Sequence, residues 1–582
     1  MFKDDHPIQG ARSSNEIINT IMLKRTGLCF ASLLLLSAQL SPAATAGQAR
    51  ARLDGRPLAR VLLIPLDDRP PCLQFTQLIG RIGDAEIKAP PRDLLGRFTE
   101  PGKPDRIADW VRAQELRTFD AVIVSMDMLA YGGLVNSRVH RTTLADALHS
   151  MELVRWIRTR APRLPIYGFN VIMRLAPTGD GNNESYREKL ARWAEISPES
   201  ASDGSLREEV SRLEREIPVA ALTDYKRARA RNFAVNRACV ELARSGALDY
   251  LILSQDDAKP RGVHVADRER LIAEAQKLGL ADKVAVQPGA DEVSMLLLAR
   301  ALNKRFVYAP RIAAVYSSDV IRNGVAPYED RPLHRTVSFH IAATGSREVA
   351  NARSADIIFF VYGSRFEDGA ATGFAEQVST SVAKGRRVIV ADIDVKGDVQ
   401  GADPRFTEEL GKHKVLPRLT GYASWNTAGN TIGTALPHGI IYARSFENIQ
   451  RYTPARRERI VGAQAKFLLH RLIDDYAYHS LVRKDANRFA REKGLNPSRM
   501  SGEEQTLVEN FIRERMRPHV DKLWAGFDGQ ALVDFTLPGR PFWVPRPARF
   551  SGYRLELPWG RTFEAEIDFD VETRSVRRES LP

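Results

Sequence analysis

Two pairs of adjacent acidic residues follow short apolar segments of the sequence. The apolar run that ends at Leu253 precedes Asp256 and Asp257, and a second run some thirty residues later precedes Asp291 and Glu292. Buried strands seldom hold unpaired carboxylates, so these acids should emerge where the strands end. In parallel α/β folds that edge is where ligand sites are assembled. The four acids are therefore predicted to share one site.

Carboxylates that face one pocket can divide into an acid and a base, because burial and mutual repulsion raise the pKa of one of them. Glycoside hydrolysis requires such a pair, so Asp256, Asp257, Asp291 and Glu292 are the predicted catalytic residues. No cofactor is required by this chemistry. The same oxygens would also suit a divalent cation such as Mg²⁺ or Ca²⁺, with ligands left unassigned. A structural alternative is that the acids cap the helices that follow them.

Other strand-end residues are candidates for substrate recognition. Carboxylates, amides and arginines can bind hydroxyl or carboxylate groups, and a tryptophan offers a flat face to a sugar ring. The candidates are Asp67, Asp68, Arg69, Asp127, Arg174, Trp425, Asn426 and Asn430. Purely structural roles stay open as well: a salt-bridged turn around Arg69, an ion pair of Arg174 with a site acid, and a packed Trp425.

The elements that must position these residues alternate between short apolar strands and helices. This pattern predicts parallel α/β layers. The segment 58–332 is predicted to form either a β/α barrel or an open doubly wound sheet, since periodicity does not separate the two. A smaller open α/β domain is expected at 333–450, with strands that include Val337–His340. A helical region at 451–528 and a small β tail at 529–582 would complete the chain.

The amino-acid composition and the absence of certain motifs exclude several classes of function. The 582 residues are 43% apolar and 27% charged, which is typical of globular proteins with more than one core. The formal net charge of +13 is spread along the chain without a nucleic-acid-binding motif, so no nucleic-acid partner is predicted. No Walker loop or dinucleotide fingerprint occurs, and the histidines are too dispersed to indicate zinc.

The N-terminal segment has the features of a secretory signal peptide. Lys24 and Arg25 precede a short apolar run, and Ala44–Ala46 forms a small-x-small cleavage site. We expect translation to start at Met22, with residues 1–21 outside the gene product and 1–46 removed on export. The predicted location is the periplasm, without stable membrane insertion after cleavage. Two cysteines then remain, which allow at most one disulfide.

Several motifs together resemble the bacterial domain-of-unknown-function family 4127. They cover most of the predicted mature chain in a fixed order: Pro65–Pro70, Gly132–Val135, Gln255–Ala258, Gly289–Glu292 and Trp425–Asn430. The resemblance implies that these motifs act as one unit, and it implies no particular activity.

The function expected from the residues is therefore that of an exported hydrolase. A glycoside hydrolase acting on a carbohydrate or cell-wall glycan uses paired carboxylates in the predicted way. Two alternatives stay open: a metal-dependent hydrolase that uses the same carboxylates as ligands, and a non-catalytic solute-binding protein whose two α/β lobes close over a polar solute.

Overall fold

A computed structural model describes residues 55–532 and 542–578 of the chain. The predicted signal peptide and its cleavage site lie outside the described residues. Within the described ranges the protein is a mixed α/β structure with two parallel sheets and one long antiparallel hairpin. No helix in these ranges is both long and apolar enough to cross a membrane.

The first sheet has six parallel strands in the spatial order β2-β1-β3-β4-β5-β6. The strands are β1 (Ala59–Ile64), β2 (Ala85–Lys88), β3 (Ala121–Ser125), β4 (Ile166–Ile172), β5 (Tyr250–Gln255) and β6 (Val284–Pro288). Strands β2 and β6 are its edges, so this sheet is open and the barrel alternative does not apply. Apolar side chains cover both faces, which explains why the central strands read as continuous apolar runs.

The second sheet has five parallel strands in the order β11-β10-β9-β7-β8. The strands are β7 (Arg311–Tyr316), β8 (Arg347–Glu348), β9 (Ile357–Tyr362), β10 (Arg387–Asp392) and β11 (Gly421–Ala423). Strand β7 was expected in the first domain, but it pairs with β9 in this sheet.

One predicted strand is wrong. Val337–His340 lies inside the helix Leu333–Ala343. Its β-branched and aromatic residues suggested a strand. His340 and Ile341 follow Val337 by three and four residues, however, and the three form part of the buried face of a helix.

Helices connect and cover the strands. The α-helices that precede β7 are Gln74–Ile82, Pro104–Arg112, Met126–Tyr131, Leu134–Ser137, Leu144–Arg160, Arg187–Ile196, Gly204–Glu216, Val219–Arg244, Val263–Lys277 and Val293–Arg305. Those that follow β7 are Asp319–Asn323, Leu333–Ala343, Ala370–Ala383, Pro404–Lys412, Ala428–Glu447, Pro454–Arg471, Arg483–Glu492 and Gly502–Ala525. Short 3₁₀ turns occur at Arg92–Leu94, Leu116–Thr118, Ala352–Ser354, Leu416–Arg418 and Ile449–Arg451.

The C-terminal part joins both sheets. The helix Pro454–Arg471 continues as a π-helix over Leu472–Val482 and returns to α-helix at Arg483. The hairpin of β12 (Phe542–Glu556) and β13 (Glu566–Arg578) follows. Its connecting turn carries Trp559, whose indole N–H donates to Asp68 after β1 over 2.7 Å. The segment expected to be a separate tail therefore contacts the carboxyl edge of the first sheet.

Candidate functional site

A polar cavity of about 590 Å³ lies at the carboxyl edge of the first sheet. Residues that follow β1, β3, β4, β5 and β6 of the first sheet line it. Residues that follow β7, β10 and β11 of the second sheet, and residues of the C-terminal helices and hairpin, complete the wall. The chain leaves β1 and β3 in opposite directions across the sheet, which is the topological position where open α/β sheets bind ligands. The polar residues that carry the argument below are Arg69, Arg138, Arg174, Asp256, Asp257, Asp291, Tyr328, Asn426, Asn430, Arg483, Asn487 and Trp559.

Two of the three predicted acids in the cavity wall come from β5. Asp256 accepts hydrogen bonds from Arg138, whose Nη2 lies 2.5 Å from a carboxylate oxygen. Asp257 is paired with Arg174 and keeps a third of its side chain exposed, whereas 7% of the Asp256 side chain is exposed. Asp257 is therefore the β5 acid that is accessible to a ligand.

Asp291 follows β6, the strand next to β5, and is also paired with an arginine. Arg69 lies between Asp67 and Asp291 and donates to both over 2.7 Å. Burial raises the pKa of Asp291 to about 6, although Arg69 acts in the opposite direction. A carboxyl group that titrates near pH 6 can donate a proton close to neutrality.

Glu292, the fourth predicted acid, is not in the cavity wall. It is completely buried, where one carboxylate oxygen accepts the Ala290 N–H over 3.0 Å and the other lies 3.3 Å from His340 Nε2. A Cβ added at Gly289 would come within 1.6 Å of this carboxylate, so glycine is required there. Glu292 therefore holds the backbone that presents Asp291 and is not placed to touch a ligand.

The four predicted acids do not cap helices with their side chains, so this structural alternative does not apply. Glu292 precedes the helix Val293–Arg305 but makes no side-chain capping hydrogen bond to it. The other acids have arginine partners instead, and these three partners, Arg69, Arg138 and Arg174, belong to the first half of the chain.

Four predicted recognition residues lie outside the cavity wall: Asp67, Asp68, Asp127 and Trp425. Asp67 and Asp68 are buried and orient their neighbours Arg69 and Trp559. Asp127 lies within the core, where it accepts the Val171 N–H over 2.9 Å, and burial raises its pKa to about 7. The turn around Arg69 and the pairing of Arg174 match the structural alternatives, but both arginines also line the cavity.

Trp425 is not a platform for a sugar ring. It packs edge-on against Phe75, with ring centroids 5.8 Å apart, and its indole N–H donates to Thr434 over 2.9 Å. Asn426 and Asn430, in contrast, line the cavity, and their role in substrate recognition stays a prediction. The Thr427 side chain caps the helix Ala428–Glu447 by accepting the Asn430 N–H.

Backbone geometry also marks the cavity wall. Asp257, Tyr328, Gln400 and Asn426 adopt positive φ angles of 36°, 66°, 55° and 57°. Left-handed conformations are unfavourable for residues other than glycine and concentrate at functional sites. Tyr328 is 44% exposed, so its ring is an aromatic surface available to a ligand at this cavity.

Several wall residues were not predicted from the sequence. Arg483, Asn487 and Arg491 are spaced by four positions on the helix Arg483–Glu492 and line the cavity. Trp559 lies in the turn of the hairpin, between the guanidinium groups of Arg69 and Arg561 at 4.7 and 4.6 Å from its ring centre. The four-residue spacing was a usable signal, but nothing local indicated which side of the helix faces a cavity.

Two further observations concern cysteines and metal ligands. Cys72 and Cys239 are buried free thiols, so the disulfide that the sequence allowed is not formed. In the described part of the chain, no three His, Cys, Asp or Glu side chains form a group that could hold a metal ion.

Fold and cavity together define a mixed α/β protein with an open parallel sheet and a polar cavity at its strand ends. Residues 61–568 match the family described as protein of unknown function DUF4127. The chain belongs to this family, as its motifs indicated. Among curated proteins, none is similar enough to this chain to be matched.

Proposed function

We propose that this protein is a hydrolase that cleaves glycosidic bonds in a carbohydrate or cell-wall glycan. The observation that carries the proposal is the convergence of strand-end carboxylates from two neighbouring strands, β5 and β6, on one cavity. A volume of about 590 Å³ is suited to a few sugar rings rather than to a folded protein.

In the proposed mechanism Asp291 is the proton donor. Its protonated carboxyl transfers a proton to the glycosidic oxygen as the bond from that oxygen to the anomeric carbon breaks. Asp257 acts on the opposite side of the sugar. It either takes a proton from the attacking water or attacks the anomeric carbon itself, forming an ester that water then hydrolyses. The stereochemistry of the first product distinguishes these routes.

The remaining wall residues would position the substrate. Asn426 and Asn430 offer amide donors and acceptors for hydroxyl groups, and Tyr328 offers an exposed ring for stacking. Arg138 would keep Asp256 fixed beside Asp257, and Arg69 would fix the carboxyl of Asp291.

The test is a screen of the purified protein against neutral and acidic glycosides and glycans. Wild type is compared with Asp291→Asn and Asp257→Asn, each with and without EDTA. We expect each substitution to lower kcat by about 100-fold or more, because proton transfer contributes that much to such reactions. We also expect activity to fall as pH rises above about 6, where Asp291 loses its proton.

Glu188→Gln is the matched control, since it removes one exposed carboxylate from the same cavity wall. Its activity should stay near that of wild type. Turnover that survives both aspartate substitutions would contradict the proposal. Turnover abolished by EDTA and restored by one divalent cation would instead assign these carboxylates to a metal-dependent hydrolase.

A second candidate function is non-catalytic binding of a polar solute. It is favoured by the pairing of Asp256, Asp257 and Asp291 with arginines, because such pairs can serve recognition alone. Solutes that raise the melting temperature but are never turned over would support this candidate over the hydrolase.

Export to the periplasm is part of the proposal. It is supported by the basic residues, the short apolar run and the small-residue cleavage site of the N-terminal segment. N-terminal sequencing of the protein recovered from cells should give Gly47 as the first residue. A mature chain that begins earlier would contradict the predicted cleavage.

A further inference from the structure

The cavity wall has a positive formal charge, although it contains the three predicted site aspartates. Its lining residues include eight arginines and five carboxylates. The arginines are Arg69, Arg138, Arg174, Arg187, Arg483, Arg491, Arg499 and Arg561, and the carboxylates are Glu184, Glu188, Asp256, Asp257 and Asp291. The wall therefore carries an excess of positive charge.

Ion pairs account for half of these arginines. Arg69, Arg138 and Arg174 are paired with the three site aspartates, and Arg561 is paired with Glu564 over 2.6 Å. The other four have no carboxylate within 4 Å among the described residues. We call this set the arginine wall: Arg187, Arg483, Arg491 and Arg499.

The hydrogen bonds of the arginine wall go to neutral groups. Arg483 donates to the carbonyl oxygens of Val399, over 2.7 Å, and Phe563, over 3.4 Å. Arg187 donates to the Pro177 carbonyl over 3.0 Å, and burial lowers the pKa of both of these arginines. A partly buried guanidinium without a counter-charge is unfavourable, and an anionic ligand would relieve this.

The helix Arg483–Glu492 presents part of this wall as a row. Arg483, Asn487 and Arg491 lie at intervals of four residues, so their side chains stand on one face along about two turns. Arg491 is exposed, and its guanidinium has no hydrogen-bond or ion-pair partner among the described residues. Charged groups spaced along a chain-like ligand could each meet a guanidinium on this face.

We propose that the ligand of this cavity is an acidic glycan, whose anionic groups bind the arginine wall while its hydroxyl groups face the asparagines. The glycan part of this inference rests on the proposed function. The inference that the ligand is acidic rests on the unpaired guanidinium groups of the arginine wall. The negative charge of such a glycan would come from carboxylate or from sulfate groups, and the experiment below distinguishes the two.

The test measures, by calorimetry, the binding of oligosaccharide probes to the wild type and to the Asp291→Asn variant. The variant lacks the proposed proton donor and therefore should not cleave the probe. The probes are oligogalacturonates, oligosaccharides that contain glucuronate, sulfated oligosaccharides, and the neutral counterpart of each. We expect an acidic probe to bind at least tenfold more tightly than its neutral counterpart. A preference for the carboxylated or for the sulfated probes identifies the anionic group.

Arg491→Glu and Arg488→Glu form a matched pair on one helix. Arg491 lines the cavity, whereas Arg488 is exposed, is paired with Asp485 over 2.9 Å and does not line it. We expect Arg491→Glu to weaken acidic-probe binding by about tenfold or more, because a cavity contact becomes a repulsion, while Arg488→Glu stays near wild type. Equal effects of the two variants would overturn the proposal.

The outcomes separate this inference from the proposed function. Neutral and acidic probes that bind equally, or turnover restricted to neutral glycans, would overturn the acidic ligand and leave the hydrolase standing. Tight acidic-probe binding without turnover in wild type would keep the acidic ligand and contradict the hydrolase.

Discussion

Glu329 is a buried acid next to the cavity whose ionisation should oppose folding. It is 2% exposed, and one of its carboxylate oxygens accepts the Gly429 N–H over 2.8 Å. The other oxygen has no hydrogen-bond partner among the described residues. Burial, with the nearby charge of Glu292, raises the pKa of Glu329 to about 8.

The substitution Glu329→Gln tests this arrangement. Because the folded pKa lies above the unfolded value, the wild-type side chain favours the folded state at low pH, and this contribution is lost as pH rises through about 8. The glutamine keeps an acceptor for Gly429 and does not titrate. We expect the wild type to lose roughly 4 kcal/mol more unfolding free energy than the variant between pH 5 and pH 9, because about three pH units separate pH 5 from the folded pKa and each is worth about 1.4 kcal/mol.

Urea unfolding at both pH values measures this difference. Glu376→Gln is the control, because Glu376 is exposed on the helix Ala370–Ala383. Its unfolding free energy should change with pH as in wild type. If Glu329→Gln also follows the wild type, Glu329 does not titrate in the manner expected.

The types of the site residues could be predicted from the sequence more readily than their roles. Asp256, Asp257 and Asp291 were identified because acids after buried strands must emerge at one sheet edge. Glu292 was misassigned, since side-chain direction at the start of a helix cannot be read from a pair of adjacent acids. The partner Arg138 lies 118 residues from Asp256, so no local pattern connects them.

At the scale of elements, close packing of the helix Ala428–Glu447 on β11 places Asn430 at the cavity. The backbones of strand and helix come close together where Gly421 faces Gly439. A Cβ at Gly421 would lie 2.7 Å from the Gly439 nitrogen and 2.8 Å from the Ala435 carbonyl oxygen. Both obstacles are backbone atoms, which cannot move aside as a flexible side chain can.

We therefore expect Gly421→Ala to destabilise the protein by about 1–3 kcal/mol or more, since it forces the helix away from the strand. It should also weaken ligand binding, because Asn430 moves with the helix. Chemical denaturation and calorimetric binding measure the two effects.

Gly373→Ala is the control for this substitution. A Cβ at Gly373 meets nothing within 4 Å, and the residue lies inside the helix Ala370–Ala383. Alanine there should stabilise the protein by about 0.5–1 kcal/mol through helix propensity. Equal stabilities of the two variants would contradict the proposed close contact.

The elements themselves were largely predictable, because strand–helix alternation and apolar periodicity are local properties. The assignment of β7 to a sheet was not, since strand pairing depends on contacts far apart in sequence. The short edge strand β2 was missed for a related reason. Its sequence Ala-Glu-Ile-Lys is only partly buried and lacks the apolar run that identified the other strands.

At the scale of the whole molecule, one apolar core connects the two sheets. It includes residues of β1 and β4, of β9 and β10, and of the C-terminal hairpin. The helices Val293–Arg305 and Ala428–Glu447 pack against each other inside it. The sequence had suggested separate lobes, because nothing in a linear pattern shows which apolar faces meet. A shared core disfavours a binding mechanism in which two lobes open and close about a hinge.

This core predicts that both sheets unfold in one cooperative transition. In urea, the far-UV circular dichroism of the whole chain should change at the same midpoint as thiol exposure at Cys239, which is buried against the first sheet. Tryptophan fluorescence, to which the buried Trp193, Trp425 and Trp559 contribute, should change at the same midpoint. In a chain that begins at Gly47, and therefore lacks Cys29, the substitution Cys72→Ala makes the thiol signal specific to Cys239. Separate midpoints would instead indicate independent lobes, and the hinged solute-binding alternative would then gain support over a fixed hydrolase cavity.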